Sequence, residues 1–346
     1  MYFSLNPIKL FLDGFDWNGR TSRRQLGIVL FLGLLPFLIS GLLGYIGNDA
    51  LWARSLLILF AALFFIPLVG HLVRRINDLG WNGWLVWLVL VPYLAFAFLL
   101  VLLFKSRGYK RPIYSTLWRL VGQVATAVVA LVMLTGVFWR PYFVISGAMK
   151  PNLLVGDYVI ATVFTTQPEV GEMTVFRHPV SGIPTVSRVI GIEGDSVQMR
   201  GGTLWINGVE ADTVSNGFFD EVMEPQGPLG LLPRCTNGAV GQFANCRKTQ
   251  ERETLSNGVS YPILNIGKTA LDQTGEFTVP EGHVFVLGDN RDNAADSRIA
   301  VGAGGTGFVP VENLIGHPLF VLYSVSSARP WAIWTMRLNR IFVGIE

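Results

Sequence analysis

Residues 288–298 read GDNRDNAADSR and follow directly on the apolar run 284–287. Three aspartates, two arginines and two asparagines stand in this segment. That density of charged and amide groups is unusual directly after an apolar run, although a solvated loop can have the same composition. The sequence therefore predicts a strand that leads into a candidate site.

Short apolar runs separated by Gly, Asn and Asp extend over the C-terminal half from residue 142. Short strands with turn residues between them are typical of an all-β domain. Asn207-Gly208 predicts a hairpin turn, because both residues tolerate positive φ. The predicted strands cover residues 158–163, 173–176, 185–192, 196–199, 203–206, 277–279 and 284–287.

Two further polar blocks precede residues 288–298. The first reads SGAMKPNL at 146–153, with Gly156 and Asp157 after it, and the second reads SRVIGIEGD at 187–195. In this order, after an apolar span, the three blocks resemble the conserved boxes of type I signal peptidase. The resemblance runs from about residue 139 to 323 and includes GGTLWING at 201–208 and FVP at 308–310 with NLIG at 313–316. It implies a mostly-β domain of coiled antiparallel sheets outside the membrane.

The resemblance also implies the chemistry of a serine peptidase that removes signal peptides. One serine attacks the carbonyl of the cleaved bond, a lysine accepts its proton, and a second serine holds that lysine. A hydroxyl is a poor nucleophile at neutral pH, and a lysine accepts its proton only when burial lowers the pKa of the amine. A further serine, two residues before the nucleophile, helps to bind the oxyanion.

Three of these positions are replaced in this chain. The nucleophile position falls on Ala148 and the orienting serine on Ala294. The base position falls on Ser187, whereas the oxyanion serine is retained as Ser146. A methyl group has no nucleophilic atom, and a serine hydroxyl is not a useful base near neutral pH. The coordinated replacements predict a natural homologue that is catalytically dead or severely impaired, rather than an engineered trap, for which a single change would suffice.

The other positions of the three blocks match the family pattern, and we expect them to bind substrate or to support the site. His178 and His283 lie outside the blocks, so we do not expect either to replace the missing base. The retained positions are Met149, Pro151, Gly156, Asp157, Arg188, Gly191, Gly194, Asp195, Gly288, Asp289, Asn290, Arg291, Asp296 and Arg298.

The N-terminal half has the composition of a membrane protein. The chain is 51% hydrophobic and 15% charged, with a mean hydropathy of +0.44, and nearly all long uncharged runs lie before residue 139. Four runs are long enough to cross a bilayer, namely residues 25–47, 52–73, 82–104 and 118–138.

The distribution of basic residues predicts the topology only in part. Those at 105–111 favour a cytoplasmic loop, which places everything after residue 139 outside. The basic residues at 9–24 also favour the cytoplasm, and four crossings cannot satisfy both preferences. Either the run 82–104, with Pro92 at its centre, is re-entrant or interfacial, or the N-terminus lies outside. The number of crossings stays open.

Two polar motifs lie beside these runs, NGRTSRR at 18–24 and RRINDLGWNGW at 74–84. They resemble a family of small bacterial membrane proteins known as domain of unknown function 805, over about residues 14–107. That resemblance implies no mechanism. The alternative is that the motifs are charged anchors with Trp at the membrane interface.

These features predict a multi-pass α-helical membrane region followed by a mostly-β domain. The domains are expected at 1–112 (polytopic membrane domain), 113–140 (transmembrane anchor), 141–323 (signal-peptidase-like β domain) and 324–346 (amphipathic, interfacial tail). For the tail, a packed terminal helix or strand is the alternative. Cys235 and Cys246 are either free thiols or, in an oxidising compartment, a disulfide.

The leading functional hypothesis is a signal peptidase I homologue in the bacterial inner membrane, with its β domain on the periplasmic face. It contacts lipid and engages signal peptides of exported preproteins, or partners an active signal peptidase or translocon component. One alternative is an active peptidase with an unconventional arrangement, and another is a scaffold acting through the N-terminal domain. The net charge of +3 is too small and scattered to indicate nucleic-acid binding. No metal or cofactor is expected, since no further His or Cys accompanies the cysteines at ligand spacing.

Overall fold

The apolar runs of the N-terminal half fold as helices in the computed structural model, which describes residues 6–46, 51–90, 92–106, 116–163, 167–327 and 332–345. The chain forms two structural units, Met1–Val137 and Phe138–Glu346. The helices of the first unit are α1 (Pro7–Asp13), α2 (Arg23–Ile46), α3 (Leu51–Asp78), α4 (Pro92–Phe104) and α5 (Thr116–Thr135), with a 3₁₀-helix at Gly83–Leu90.

The third predicted run is interrupted near its centre. It forms the 3₁₀-helix and then α4, which begins at Pro92. Proline lacks an N–H and has a fixed φ, so it suits the first position of a helix better than its interior. Among the described residues, the part of α3 from Ser55 to Asp78 is long and apolar enough to cross a membrane, and Arg119–Thr135 is a shorter apolar helix. The number of crossings therefore stays a prediction.

Arg75 of the second N-terminal motif lies in the core of the helical unit. It is 1% exposed, pairs with Asp78 at 2.5 Å, and donates hydrogen bonds to the carbonyl oxygens of Leu102 and Lys105. A buried charge is stable only when it is paired and hydrogen-bonded. Arg75 therefore ties the end of α3 to the end of α4 and is more than a flanking membrane anchor.

The second unit consists of short antiparallel strands. They are β1 (Trp139–Phe143), β2 (Asp157–Thr162), β3 (Met173–Arg177), β4 (Pro184–Gly191), β5 (Ser196–Arg200), β6 (Thr203–Ile206), β7 (Val209–Glu210), β8 (Asp212–Val222), β9 (Asn245–Thr254), β10 (Ser260–Asn265), β11 (Phe277–Thr278), β12 (His283–Leu287), β13 (Val309–Pro310), β14 (Leu314–Gly316), β15 (Pro318–Ser324) and β16 (Val343–Gly344). This confirms the mostly-β class predicted for the C-terminal half.

The strands form four sheets in the described part of the chain, ordered β1-β2-β15-β16, β13-β12-β4-β3-β14, β11-β5-β6-β7 and β10-β9-β8. In the second of these, Leu287 of β12 pairs with Arg188 of β4. This register brings the block at 187–195 beside the start of the block at 288–298. Asn207 and Gly208 have φ of 53° and 75°, which confirms the predicted hairpin turn between β6 and β7.

Sequence patterns missed the long hairpin of β8 and β9. β9 reads NCRKTQERET and buries Lys248 and Glu253, so its inward side chains do not show apolar alternation. β8 is mostly exposed, and its register against β9 shifts between Ser215 and Phe218. The segment Trp139–Phe143 forms β1 and pairs with β2.

The C-terminal segment packs on the β unit in the described residues 332–345. Val343 of β16 pairs with Val321 of β15, and the Arg340 side chain binds Asp157 at 2.5 Å. The backbone of the tail is therefore packed on the β unit, as the alternative predicts. The side chains of Trp334 and Phe342 are exposed, and contact of the tail with the membrane surface stays a prediction. Elsewhere in the unit, Cys235 and Cys246 form the predicted disulfide, and the free-thiol alternative is wrong.

Candidate active-site cleft

Asn290 joins the third polar block to the first. Its side-chain amide donates to the carbonyl oxygen of Gly147 at 2.8 Å, and its backbone N–H donates to the carbonyl oxygen of Ala148 at 2.9 Å. Asn290 is fully buried at the end of β12. The backbone at residues 147–148 is therefore held against the start of the 288–298 segment.

An ion pair joins the second block to the third. Nε and Nη2 of Arg188 donate to the two carboxylate oxygens of Asp289, both at 2.9 Å, and Asn152 of the first block donates to the same carboxylate at 2.6 Å. Burial acts to lower the pKa of Arg188, but the carboxylate of Asp289 raises this pKa overall. The guanidinium also lies 3.8 Å from the ring centroid of Tyr261. All three blocks thus meet at Asp289.

Two more buried ion pairs hold residues 288–298. Arg291 binds Glu253 of β9 through both terminal nitrogens, one of them at 2.9 Å, and Arg298 binds Asp296 at 2.9 and 2.8 Å. Asp296 also accepts the backbone N–H of Gly288 at 3.2 Å. These contacts make the segment a buried scaffold, and the solvated-loop interpretation is wrong.

The remaining retained positions support the first block. Gly156 has φ of +95°, and a Cβ there would lie 1.8 Å from the carbonyl oxygen of Val325, so only glycine fits. Asp157 is buried and accepts the backbone N–H of Leu154 at 2.8 Å. Met149 is buried in an apolar cluster with Leu153.

The positions assigned to the nucleophile and the orienting serine lie close together. A Cβ added at Gly288 would lie 2.4 Å from the Cβ of Ala294 and 2.8 Å from the carbonyl oxygen of Ala148. Ser187, at the assigned base position, is buried on β4 opposite Thr174 of β3. The structure therefore places Ala148 beside Ala294, with Ser187 one residue before the arginine that binds Asp289.

A cleft of about 470 Å³ opens beside Ala294, and Ala148 is not among the described residues that line it. Among the described residues that line it are Ser146 and Ala294, but not Ser187, His178 or His283. Its apolar walls include Ile145, Leu231, Leu232, Leu271 and Ile299. The cleft thus combines the retained oxyanion serine with apolar side chains and with polar ones such as Arg234 and Asp292.

Lys150 lines the same cleft with a buried side chain. Its ammonium donates to Glu221 and, at 2.6 Å, to the side-chain oxygen of Gln226, while Lys248 of β9 donates to the other oxygen of Glu221. Burial lowers the pKa of Lys150 to about 8, although Glu221 acts to raise this pKa. Two buried ammonium groups therefore share one carboxylate at the cleft.

Sequence reasoning did not assign a role to this lysine cluster. The available signal was a lysine between Met149 and Pro151 in a block otherwise matched to the family. Its partners stand far away in the sequence, on the missed strands β8 and β9 and the connection after β8. Only the fold brings them to Lys150.

Comparison with known proteins identifies the second unit. Residues 117–323 match the family model described as signal peptidase, peptidase S26. The chain belongs to this family. Residues 14–114 match a second family of proteins of unknown function, DUF805. Both resemblances found in the sequence are therefore confirmed.

Similar proteins include signal peptidase I of Rickettsia typhi (strain Wilmington), 29% identical over 249 residues, which cover 59% of this chain and 84% of the relative. Signal peptidase I of Rickettsia prowazekii (strain Madrid E) is 27% identical over 267 residues, which cover 64% of this chain and 91% of the relative. The crystal structure of a signal peptidase I from Enterococcus faecalis V583 matches with 25% identity and a TM-score of 0.24, covering 44% of this chain and 98% of that chain.

In this signal peptidase family member, the first block still offers hydrogen-bond donors to the cleft. The backbone N–H groups of Gly147 and Ala148 donate to no acceptor among the described residues, and the Ser146 side chain is exposed. Such donors can bind a carbonyl oxygen or an oxyanion. The assigned nucleophile position carries a methyl group, so residue 148 supplies no attacking hydroxyl.

Proposed function

We propose that the protein binds signal peptides of exported preproteins and does not cleave them at the rate of an active signal peptidase. The carrying observation is a buried scaffold of three ion pairs around two methyl groups, at Ala148 and Ala294. The scaffold and the donors beside Ser146 support peptide binding. An acyl-enzyme requires a nucleophilic side chain, and position 148 has none.

The test is cleavage of a purified preprotein by the full chain in lipid nanodiscs. The unmodified protein is compared with a revertant carrying Ala148→Ser, Ser187→Lys and Ala294→Ser, and with a matched control carrying only Ser187→Lys and Ala294→Ser. We expect cleavage by the revertant alone, with all three proteins crosslinking to the preprotein. Cleavage by the unmodified protein at a rate near that of the revertant would show that the proposal is wrong.

One observation favours a second candidate, an active peptidase with Ser146 as nucleophile and Lys150 as base. Lys150 is buried near Ser146, and its pKa of about 8 is low for a lysine. Its ammonium, however, already donates to Glu221 and Gln226, which favours the charged form that cannot accept a proton. Mass spectrometry of the unmodified protein with preprotein distinguishes the two, since only this candidate forms a peptide ester on Ser146.

We further propose that several helices of residues 1–137 anchor the chain in the bacterial inner membrane, with the β unit on the periplasmic face. The Cys235–Cys246 disulfide supports this side, because disulfides persist in oxidising compartments. The basic residues at 105–111 support a cytoplasmic loop before α5. Protease added to spheroplasts is expected to digest the β unit. Digestion only after lysis would contradict this orientation.

In that position the cleft lies in the compartment into which preproteins are exported. The exposed apolar side chains of Trp334, Leu338 and Phe342 are suited to contact lipid. An active signal peptidase or a translocon component is then a reasonable partner, because both handle the same peptides. Crosslinking from the cleft in intact membranes, followed by identification of the captured peptides and proteins, tests this extension.

A further inference from the structure

The lysine cluster at the cleft carries an excess of positive charge. Lys150 and Lys248 contribute two cations, and Glu221 contributes the carboxylate that both contact. The side chains are 4%, 0% and 10% exposed, respectively. Gln226, the other acceptor for Lys150, is neutral. An uncompensated buried charge is costly, so the cluster favours a bound anion.

The excess charge lies beside the first block. A Cβ built on Gly147 would lie 3.3 Å from Cε of Lys150, so the lysine stem runs along residue 147 toward its ammonium. An ammonium has three donors, and among the described residues only Glu221 and Gln226 accept from it. The unpaired N–H groups of Gly147 and Ala148 lie in the same turn. Consecutive backbone N–H groups beside a cation form an anion-binding concavity.

An uncleaved preprotein and a cleaved signal peptide differ in charge at this point. The uncleaved chain presents a neutral carbonyl, whereas the cleaved peptide ends in a carboxylate. A methyl group at position 148 takes less room than the side chain of a serine. The cluster therefore distinguishes the two ligands by charge.

We propose that the cleft prefers peptides ending in a free carboxylate, that is, signal peptides already released by a peptidase, over uncleaved preproteins. This inference rests on the proposed function, which places signal peptides in the cleft. It makes the protein a receptor for the product of signal-peptide cleavage.

The experiment compares three synthetic peptides with one signal-peptide sequence. The first ends at the cleavage site as a carboxylate, the second ends there as an amide, and the third continues into the mature protein. Their dissociation constants for the full chain in nanodiscs are measured by fluorescence anisotropy. We expect the carboxylate to bind at least about tenfold more tightly than the amide, the scale of one charge-assisted hydrogen bond.

Gln226→Glu is the decisive variant. It preserves the side-chain shape and an acceptor for Lys150, and it adds the negative charge that the cluster lacks. It also replaces the amide that donates to Glu221 at 2.8 Å, so the folding of this variant is checked by thermal unfolding. We expect the carboxylate and amide peptides to bind this variant about equally, while amide binding persists. The matched control is Gln167→Glu, which makes the same change at an exposed glutamine outside the described cleft lining and is expected to retain the tenfold preference.

The outcomes separate the two proposals. Equal binding of the carboxylate and the amide by the unmodified protein would overturn this inference and leave signal-peptide binding intact. Binding of none of the three peptides would overturn both. A full carboxylate preference in Gln226→Glu would also overturn the inference, and Lys150→Met provides a second variant should thermal unfolding show that Gln226→Glu is misfolded.

Discussion

The scaffold of the cleft and its reactive positions contribute differently to the fold. Arg188 and Asp289 are buried and paired, so the loss of either partner leaves a charge without compensation. Ala148 contributes its backbone carbonyl, which accepts from Asn290, and Ala294 contributes only a packed methyl group. The difference predicts that the side chains at positions 148 and 294 can change while the fold is kept. Membership of the family therefore indicates the architecture more firmly than the activity.

The largest expected effect on stability comes from a substitution that breaks the scaffold. Arg188→Met leaves the carboxylate of Asp289 buried with Asn152 as its remaining side-chain donor. Loss of one partner of a buried pair lowers the free energy of unfolding by about 3–5 kcal/mol. Ala148→Ser, the matched change at a reactive position, is expected to cost less than about 1 kcal/mol. Pulse proteolysis across a denaturant series measures both, and equal losses would contradict the comparison.

Two substitutions in the lysine cluster are expected to change the free energy of unfolding by different amounts. Glu221→Leu leaves two buried ammonium groups without a carboxylate and lowers the free energy of unfolding by about 3 kcal/mol or more. Lys150→Met keeps the Lys248–Glu221 pair and removes the excess charge, so the expected change is within about 1 kcal/mol. The same denaturant series compares the two variants. Equal destabilisation would show that Lys150 belongs to the scaffold.

The disulfide is expected to have an intermediate effect. It closes a short loop, with a sequence separation of 11, from Cys235 in the connection between β8 and β9 to Cys246 in β9. Replacing both Cys235 and Cys246 by serine should lower the free energy of unfolding by about 2–3 kcal/mol through the entropy of the unfolded chain. The same connection carries Leu231 and Leu232 of the cleft wall, so peptide affinity should fall as well. A reductant added to the double variant serves as the control and should change neither quantity.

How far the sequence predicts this molecule depends on where the interacting groups lie. The block at 288–298 could be matched to the family from local order alone, and the helices could be located by hydropathy. The partners of Lys150 could not be found in this way, because Glu221 lies on the mostly exposed strand β8 and Lys248 is one of the two charged side chains that β9 buries. A buried charge has no periodic signature, and its partner is fixed only when the strands pair. The crossings of the N-terminal half are open for another reason, since hydropathy gives helix length but not helix position in a bilayer.

The smallest expected effect is a pH dependence that acts oppositely on ligand preference and on stability. The charged groups acting on Lys150 are Glu221, Lys248 and Arg337, and its folded-state pKa is about 8 against an ordinary value of 10.5. The carboxylate preference requires the ammonium form. It should therefore be full below about pH 7 and should decline as the pH rises through 8, approaching the value for Lys150→Met.

The stability contributed by Lys150 should change in the other direction. Because the folded-state pKa is depressed, this group stabilises the fold fully only above the unfolded-state value of 10.5, and its contribution is lost as the pH falls through about 8. Between these limits, a rise in pH should weaken the carboxylate preference while the unmodified protein gains stability relative to Lys150→Met. A preference that rises with pH over this interval would place the selecting charge on another group. The Lys150 ammonium is therefore expected to lower the stability of the fold and to confer the ligand preference. The contrast between scaffold and reactive positions predicts this combination for a residue retained for binding.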